Sequence, residues 1–345
     1  MNRVLVGVDS GGTRTNVEVC IHRSGASQKR NYEVGESLSG PLPPDRIVPC
    51  LRKIFAPLQM NIDALDGGGL PIYIWVSAAG FTSWTRNDYL AALHDVTADI
   101  AHDPVVAAGA ANDGVSVLLG HRADGVVIAG TGSSTIVRPH GGHIYQVGGH
   151  EWVASDCGSG FWIGIRSIRQ AYRDSEAGNS SVLLQRFREL YGIRSGSDHD
   201  MVARLRQLAI ADSAMKREIA RFASSVCDAA ERGDLDAQNI VKAEAEELAD
   251  LTAGAIRRKF GAEQLHAGIH LVQCGSVLAN EFYRASFEAQ VEMRMRSGAD
   301  RRAVLRWERV KTGVGASIAL ARNLEDGTNQ YHHLDSAFRP VIVRR

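Results

Sequence analysis

The chain has 345 residues, 44% hydrophobic and 23% charged, with Lys+Arg and Asp+Glu equal at 39 each. That length suggests two domains, and the charge balance argues against non-specific binding to nucleic acid or an anionic membrane. No apolar run is long enough to span a bilayer, MNRVLVGVDSGG lacks the form of a signal peptide, and the five cysteines lie far apart without a CxxC. A zinc or thioredoxin-like site is therefore disfavoured, and reduced thiols in a cytoplasmic protein are expected.

In chain order, Val4 to Asp9 reads as a strand that ends in Asp9-Ser10-Gly11-Gly12-Thr13, and a second strand follows over Thr15 to Ile21. This is strand, tight glycine turn, strand. Asp9 stands at the strand end, where a carboxylate can face a bound metal. Lys29 to Val34 reads as a third strand. Gly35 to Pro44 is turn-rich, Arg46 to Leu58 has a helical pattern interrupted by Pro49, and Gly67-Gly68-Gly69 is a break. Ile72 to Val76 is a strongly apolar strand, Arg86 to Ile100 a helix and Val105 to Ala108 a short strand. Ala111-Asn112-Asp113-Gly114 then leads into a helix from Val115.

The second half repeats this organisation. Val126–Ala129, Thr135–Arg138 and His143–Val147 read as strands, and Phe161 to Arg173 as a helix. A helical insertion spans about 175–262, with patterns at Val182–Tyr191, Met201–Ile210, Lys216–Ala230 and Leu235–Phe260. Then come a strand at Ile269–Gln273, a helix at Asn280–Glu292, a strand at Val304–Val310 and a helix at Ala316–Asn323. Both halves read β-β-β-α-β-α-β, which favours two related α/β domains, at 1–118 and 119–345, with the 316–323 helix free to pack on the first. Asp326 to Arg345 is polar and irregular, without an assignable element.

Chemistry concentrates in glycine turns. Val126 to Ala129 runs into Gly130-Thr131-Gly132-Ser133, where backbone N–H groups can line an anion-binding concavity. No Gly-Lys pair occurs, so no Walker A loop is present, and no full GxGxxG opens a helix after a strand. One glycine turn in each half can grip a polyphosphate from two sides, which calls for a nucleotide in an interdomain cleft. For Asp113, the residues alone leave open a catalytic carboxylate or an Asx turn or helix cap. Glu151 and Asp156 are open between site carboxylates and solvated loop residues.

The motifs DSGGTRT, ANDG, IAGTGSS, VGGHEWVASDCGSG and VQCGSVL resemble, in order and spacing, those of the actin-like sugar kinases. The likeness is greatest to the N-acetylglucosamine and glucosamine kinases, which are grouped with the activating ATPases of benzoyl-CoA reductase and hydroxyacyl-CoA dehydratases. It implies two ribonuclease-H-like domains and use of ATP with Mg²⁺. By position, it implies that Asp9 holds the metal and that Gly11, Gly12 and Thr13 form the first phosphate turn. Gly130, Thr131, Gly132 and Ser133 form the second, and Gly275 and Ser276 lie near adenosine. Asp113 is the implied catalytic carboxylate, with Asp113, Ser37, Ser39, Gly149, Glu151 and Asp156 toward the sugar. A closing pair of domains, backbone nests with Mg²⁺, and a carboxylate near the hydroxyl are what phosphoryl transfer requires.

Many N-acetylglucosamine kinases have GGWGHxxGDEGS where this chain has GGHEWVASDCGS, a form closer to bacterial glucosamine kinases. The early loop, often GxSxN in the family, ends here in Ser39. The expected activity is transfer of the ATP γ-phosphoryl group to the 6-hydroxyl of glucosamine. The alternatives are another hexosamine, N-acetylglucosamine included, or an ATPase that activates a redox partner. That second alternative uses cysteine ligands, and no cysteine adjoins the GTGSS loop. A sugar-sensing regulator is disfavoured by Asp9 and Asp113, and by the lack of a helix-turn-helix extension. The expected partner is a small amino sugar, with a homodimer left open.

Overall fold

The computed structural model describes residues 2–12, 14–39, 42–98, 100, 102, 104–139, 143–193, 198–210, 215–296, 303–325, 331 and 334–345. The chain forms two compact units. One comprises 1–126, 138–145 and 312–345; the other comprises 127–137 and 146–311.

The chain opens with β1 (Arg3–Ser10), β2 (Thr15–Arg23) and β3 (Ala26–Val34), an antiparallel meander. Then come α1 (Pro44–Phe55), α2 (Leu58–Asp63), β4 (Ile72–Ala78), α3 (Arg86–Val96), β5 (Val105–Asn112) and α4 (Asp113–Gly120). β4 pairs parallel with both β1 and β5. Val4, Leu5, Val6 and Val8 are all fully buried, as a central strand covered on both faces requires. β3 is largely exposed and bears Lys29 and Arg30, which suit an edge strand. α1, the expected Arg46–Leu58 helix, begins with Pro44 in its first turn, runs through Pro49 without a break and ends at Phe55; α2 is not among the expected helices, and α3 ends at Val96 instead of Ile100.

The second half comprises β6 (Gly125–Ala129), β7 (Ser133–Val137), β8 (Tyr145–Gly148) and α5 (Gly160–Glu176). The insertion follows as α6 (Val182–Tyr191), α7 (Asp198–Ala209), α8 (Met215–Ala220), α9 (Phe222–Glu231), α10 (Leu235–Lys259) and α11 (Ala262–Ala267). β9 (Ile269–Cys274), α12 (Glu281–Arg296) and β10 (Leu305–Arg309) complete it. The expected Lys216–Ala230 helix is thus two helices, α8 and α9. β10 pairs parallel with β9.

The chain then returns to the first unit with α13 (Val314–Asn323) and β11 (Val341–Arg344). The Ser317 hydroxyl in α13 donates to the Val8 carbonyl at 2.9 Å and meets the Ser77 hydroxyl at 2.7 Å, fastening the helix to β1 and β4. β11, which has no counterpart in the sequence reading, pairs antiparallel with β5. Within the polar tail its Val-Ile-Val run is too short to stand out, and the edge of β5 supplies its partner.

The two sheets run β11-β5-β4-β1-β2-β3 and β10-β9-β6-β7-β8. With β11 set aside, both have the same order: fifth, fourth, first, second, third strand. The duplicated α/β organisation expected from the element order is therefore present as a duplicated topology.

Candidate functional site

In the first unit, the C-terminal ends of β1, β4 and β5 align, with Asp9 opposite Ser77 and Ala78 opposite Asn112. Ligands in α/β sheets gather at this edge. The Asp9 carboxylate accepts from the Gly313 N–H at 2.7 Å through Oδ2. Its pKa is raised to about 6, by burial first and then by the negative charge of Asp113, against the pull of the Gly313 N–H. Two strand spacings separate the ends of β1 and β5, about 10 Å. Asp113 is thus close enough for its charge to disfavour ionisation of Asp9.

Asp113 occupies the first turn of α4. The capping role open to it falls to Asn112, whose Oδ1 accepts from Gly114 N–H at 3.0 Å and Val115 N–H at 3.4 Å. Asp113 Oδ1 itself accepts from Gly114 N–H at 2.8 Å. Burial raises the pKa of Asp113, while the backbone N–H groups of Gly114 and Asp113 oppose the rise.

The first glycine turn is held by its carbonyls. Ser37 Oγ donates to the Gly11 carbonyl and lies 2.9 Å from Ser39 Oγ, and Ser39 Oγ donates to the Gly12 carbonyl at 3.4 Å. Leu38, between the two serines, donates its N–H to Ser10 Oγ at 2.7 Å. Ser37 and Ser39, expected to face a sugar, are thus brought to Gly11 and Gly12. Thr13 lies outside the described residues.

The second turn, in the other unit, follows the same plan. Its Gly130, Thr131 and Gly132 carbonyls accept from the N–H groups of Gly160 at 2.7 Å, Phe161 at 3.3 Å and Gly130 at 2.9 Å. Carbonyls occupied in this way repel an approaching phosphate less than unpaired ones would. Ser133 Oγ donates to the Cys157 carbonyl at 2.6 Å. Gly275 sits on the end of β6: its φ is +111°, and a Cβ there would lie 2.3 Å from the Ala129 carbonyl oxygen. Val277 N–H donates to that same oxygen at 2.9 Å. Gly275 is thereby brought to the second turn, with Ser276 exposed beside it.

The 148–160 loop folds over this turn. Gly149, Glu151 and Asp156 all have left-handed backbones, at φ of 71°, 68° and 63°. For the two carboxylates this costs on the order of 1 kcal/mol each, strain of the kind that collects at functional sites. Asp156 is buried against Gly132 and accepts from the Ser133 N–H at 3.5 Å, whereas Glu151 is exposed. Both pair with Lys216 of α8, whose Nζ lies 2.7 Å from Glu151 Oε2 and 2.7 Å from Asp156 Oδ2. Burial pulls the Lys216 pKa down, and hydrogen bonds to Asp156 and Glu151 outweigh it, leaving the pKa raised. Gly158 is gripped by Glu244, which accepts its N–H at 2.8 Å, and by Tyr283, whose hydroxyl donates to its carbonyl at 2.7 Å. Arg166 in turn pairs with Glu244.

Within the first unit the structure gathers Asp9, Gly11, Gly12, Ser37, Ser39 and Asp113 at one sheet edge. Within the second it gathers Gly130 to Ser133, Gly149, Glu151, Asp156, Gly275 and Ser276. Lys216, Glu244 and Gly313 were missed. A lysine or glutamate on an amphipathic helix reads as a solvated residue, and Gly313 follows β10 with no motif around it. Among the described residues no three His, Cys, Asp or Glu side chains cluster as a metal cage. Mg²⁺ in phosphoryl transfer is commonly held by one or two carboxylates together with substrate phosphates. Asp9, a hard oxygen donor made costly to ionise by burial and by Asp113, fits that role. No helix among the described residues is long and apolar enough to cross a membrane.

The family model described as the BadF/BadG/BcrA/BcrD ATPase family matches residues 6–303. A candidate N-acetylglucosamine kinase from Chromobacterium violaceum is similar in structure, with a TM-score of 0.65, 20% identity and coverage of 92% of this chain and 99% of that one. One from Porphyromonas gingivalis has a TM-score of 0.65, 17% identity and coverage of 93% and 99%. A ROK family glucokinase from Streptomyces griseus, solved with glucose and AMPPNP, has a TM-score of 0.50, 16% identity and coverage of 93% and 99%. At these identities the likeness establishes the fold. Among curated proteins, none matches the chain.

Proposed function

The chain belongs to the BadF/BadG/BcrA/BcrD ATPase family, and from that premise we propose that it is an ATP-dependent amino-sugar kinase. The reaction is transfer of the γ-phosphoryl group to the 6-hydroxyl of glucosamine. The observation that carries the reading is the pair Asp9 and Asp113, two carboxylates of raised pKa at one sheet edge beside a glycine turn.

Asp113 is the general base. It accepts the hydroxyl proton as the sugar oxygen attacks phosphorus, and burial, which raises its pKa, increases its basicity. Asp9 would hold Mg²⁺, which when bound neutralises charge on the phosphates and relieves the repulsion between the two aspartates. The Gly12 and Gly132 N–H groups are the backbone donors assigned to phosphate oxygens, and Ser37 and Ser39 keep the first turn in shape.

The amino sugar is supported by charge. Glu151 and Asp156 against Lys216 leave a net −1 at the 148–160 loop. A glucosamine ammonium gains from that charge, whereas a neutral acetamide does not. The solved structures described as N-acetylglucosamine kinases and a glucokinase support a hexose-derived substrate.

The test is a coupled ADP-release assay over hexoses, hexosamines and N-acetylhexosamines. Glucosamine is expected to show the highest kcat/KM, with a phosphate ester at its 6-position by NMR. ADP release that no sugar stimulates would overturn the reading.

A further inference from the structure

The Asp156 carboxylate is 3% exposed and lies against the second glycine turn. A Cβ on Gly132 would approach its Oδ2 to 3.1 Å, and its Oδ1 already faces the Ser133 N–H. A buried anion in that position competes for the turn's donors and repels any phosphate brought to them. The cation beside it is Lys216, shared with exposed Glu151.

Lys216 does not hold α8 in place alone. The Tyr191 hydroxyl donates to the Glu218 carbonyl at 2.8 Å. A Cβ on Gly164 of α5 would lie 2.3 Å from the Ile219 carbonyl oxygen, so the two helices touch backbone to backbone there. The ammonium is delivered to Asp156 by a helix anchored through other contacts.

We propose that Lys216 is the charge-compensating residue of the 130–133 turn: it neutralises buried Asp156 so that the turn accepts a phosphate. Lys216 is thus a positioning residue that acts through Asp156. This rests on the proposed use of ATP. It ties the helical insertion, through one side chain, to the nucleotide affinity of the second unit.

The experiment measures binding of magnesium–AMPPNP by calorimetry to wild type, Lys216→Met, Lys216→Arg, Asp156→Asn and the Asp156→Asn/Lys216→Met double variant, with circular dichroism of each. An uncompensated charge beside a bound phosphate should weaken binding about tenfold or more in Lys216→Met. Lys216→Arg should stay close to wild type. In the Asp156→Asn background, removal of Lys216 should change affinity by less than about threefold, because the charge it compensates is gone. Folded Lys216→Met with wild-type affinity, or a loss that persists in the Asp156→Asn background, overturns the proposal. If Lys216→Met alone fails to fold, the comparison of Asp156→Asn with the double variant decides in the same way. Wild type that binds no nucleotide would instead overturn the kinase reading, and this proposal with it.

Discussion

The backbone N–H of Gly313 donates to the carboxylate of Asp9 at 2.7 Å, joining residues 304 positions apart. The bond seats the start of α13 against the end of β1, and it presents a backbone donor that favours ionisation of a carboxylate whose charge burial and Asp113 disfavour. One hydrogen bond thus links the return of the chain to the first unit with the charge state of its sheet edge.

Asp113→Asn should lower kcat by about 10²–10⁴-fold, the usual contribution of a general base. Nucleotide affinity should hold, since Asn112 and not Asp113 caps α4 and the helix start survives the change. Steady-state kinetics with calorimetry checks both; retention of more than about a tenth of wild-type kcat would remove Asp113 from the role.

Asp9 has a folded pKa above that of the unfolded chain, so the folded state binds more protons between pH 3.8 and about 6. Stability contributed by this group is therefore present at low pH and falls as pH rises through that window. The cost reaches roughly 3 kcal/mol at most above pH 6. Asp9→Asn should then raise the melting temperature at pH 7.5, and raise it less at pH 5, while abolishing sugar phosphorylation. A variant no more stable than wild type at pH 7.5 would mean that the Asp9 charge is not costly. Mg²⁺ should likewise stabilise wild type more at pH 7.5 than at pH 5.

Glu151→Gln keeps the size of the side chain and removes one negative charge from the 148–160 loop. If that charge selects an ammonium, the ratio of kcat/KM for glucosamine over N-acetylglucosamine should drop by roughly tenfold or more. Lys216, which Glu151 now partly occupies, remains on Asp156. Equal losses on both sugars would assign Glu151 to holding the loop.

Gly275→Ala places a methyl group 2.3 Å from the Ala129 oxygen in a backbone conformation of φ +111°. Destabilisation of roughly 2–4 kcal/mol is expected, together with weaker nucleotide binding, because β6 must shift just before Gly130. Urea unfolding at fixed pH measures the first; an unchanged midpoint would show that the loop yields without cost.

Much of the fold was legible in the sequence because its signals are local. Apolar runs such as Val4–Val8 and Ile72–Val76 mark buried strands, and glycine turns after β1 and β6 mark hairpins. The order of these signals repeats, so a duplicated α/β architecture follows from the chain alone, and so does the position of Asp113 directly after β5. What only the tertiary structure decided depends on partners far away in sequence. β11 exists because β5 offers an edge, α13 joins the first unit through Ser317, and Asp9 meets Gly313. Nothing local distinguishes Lys216 from other lysines on amphipathic helices, or Glu244 from other glutamates. Their roles come from where α8 and α10 pack, which brings the Lys216 ammonium to Asp156 and a buried carboxylate to Gly158. Periodicity and turn chemistry are set within a few residues, whereas charge compensation in a buried site is set by the packing of whole helices.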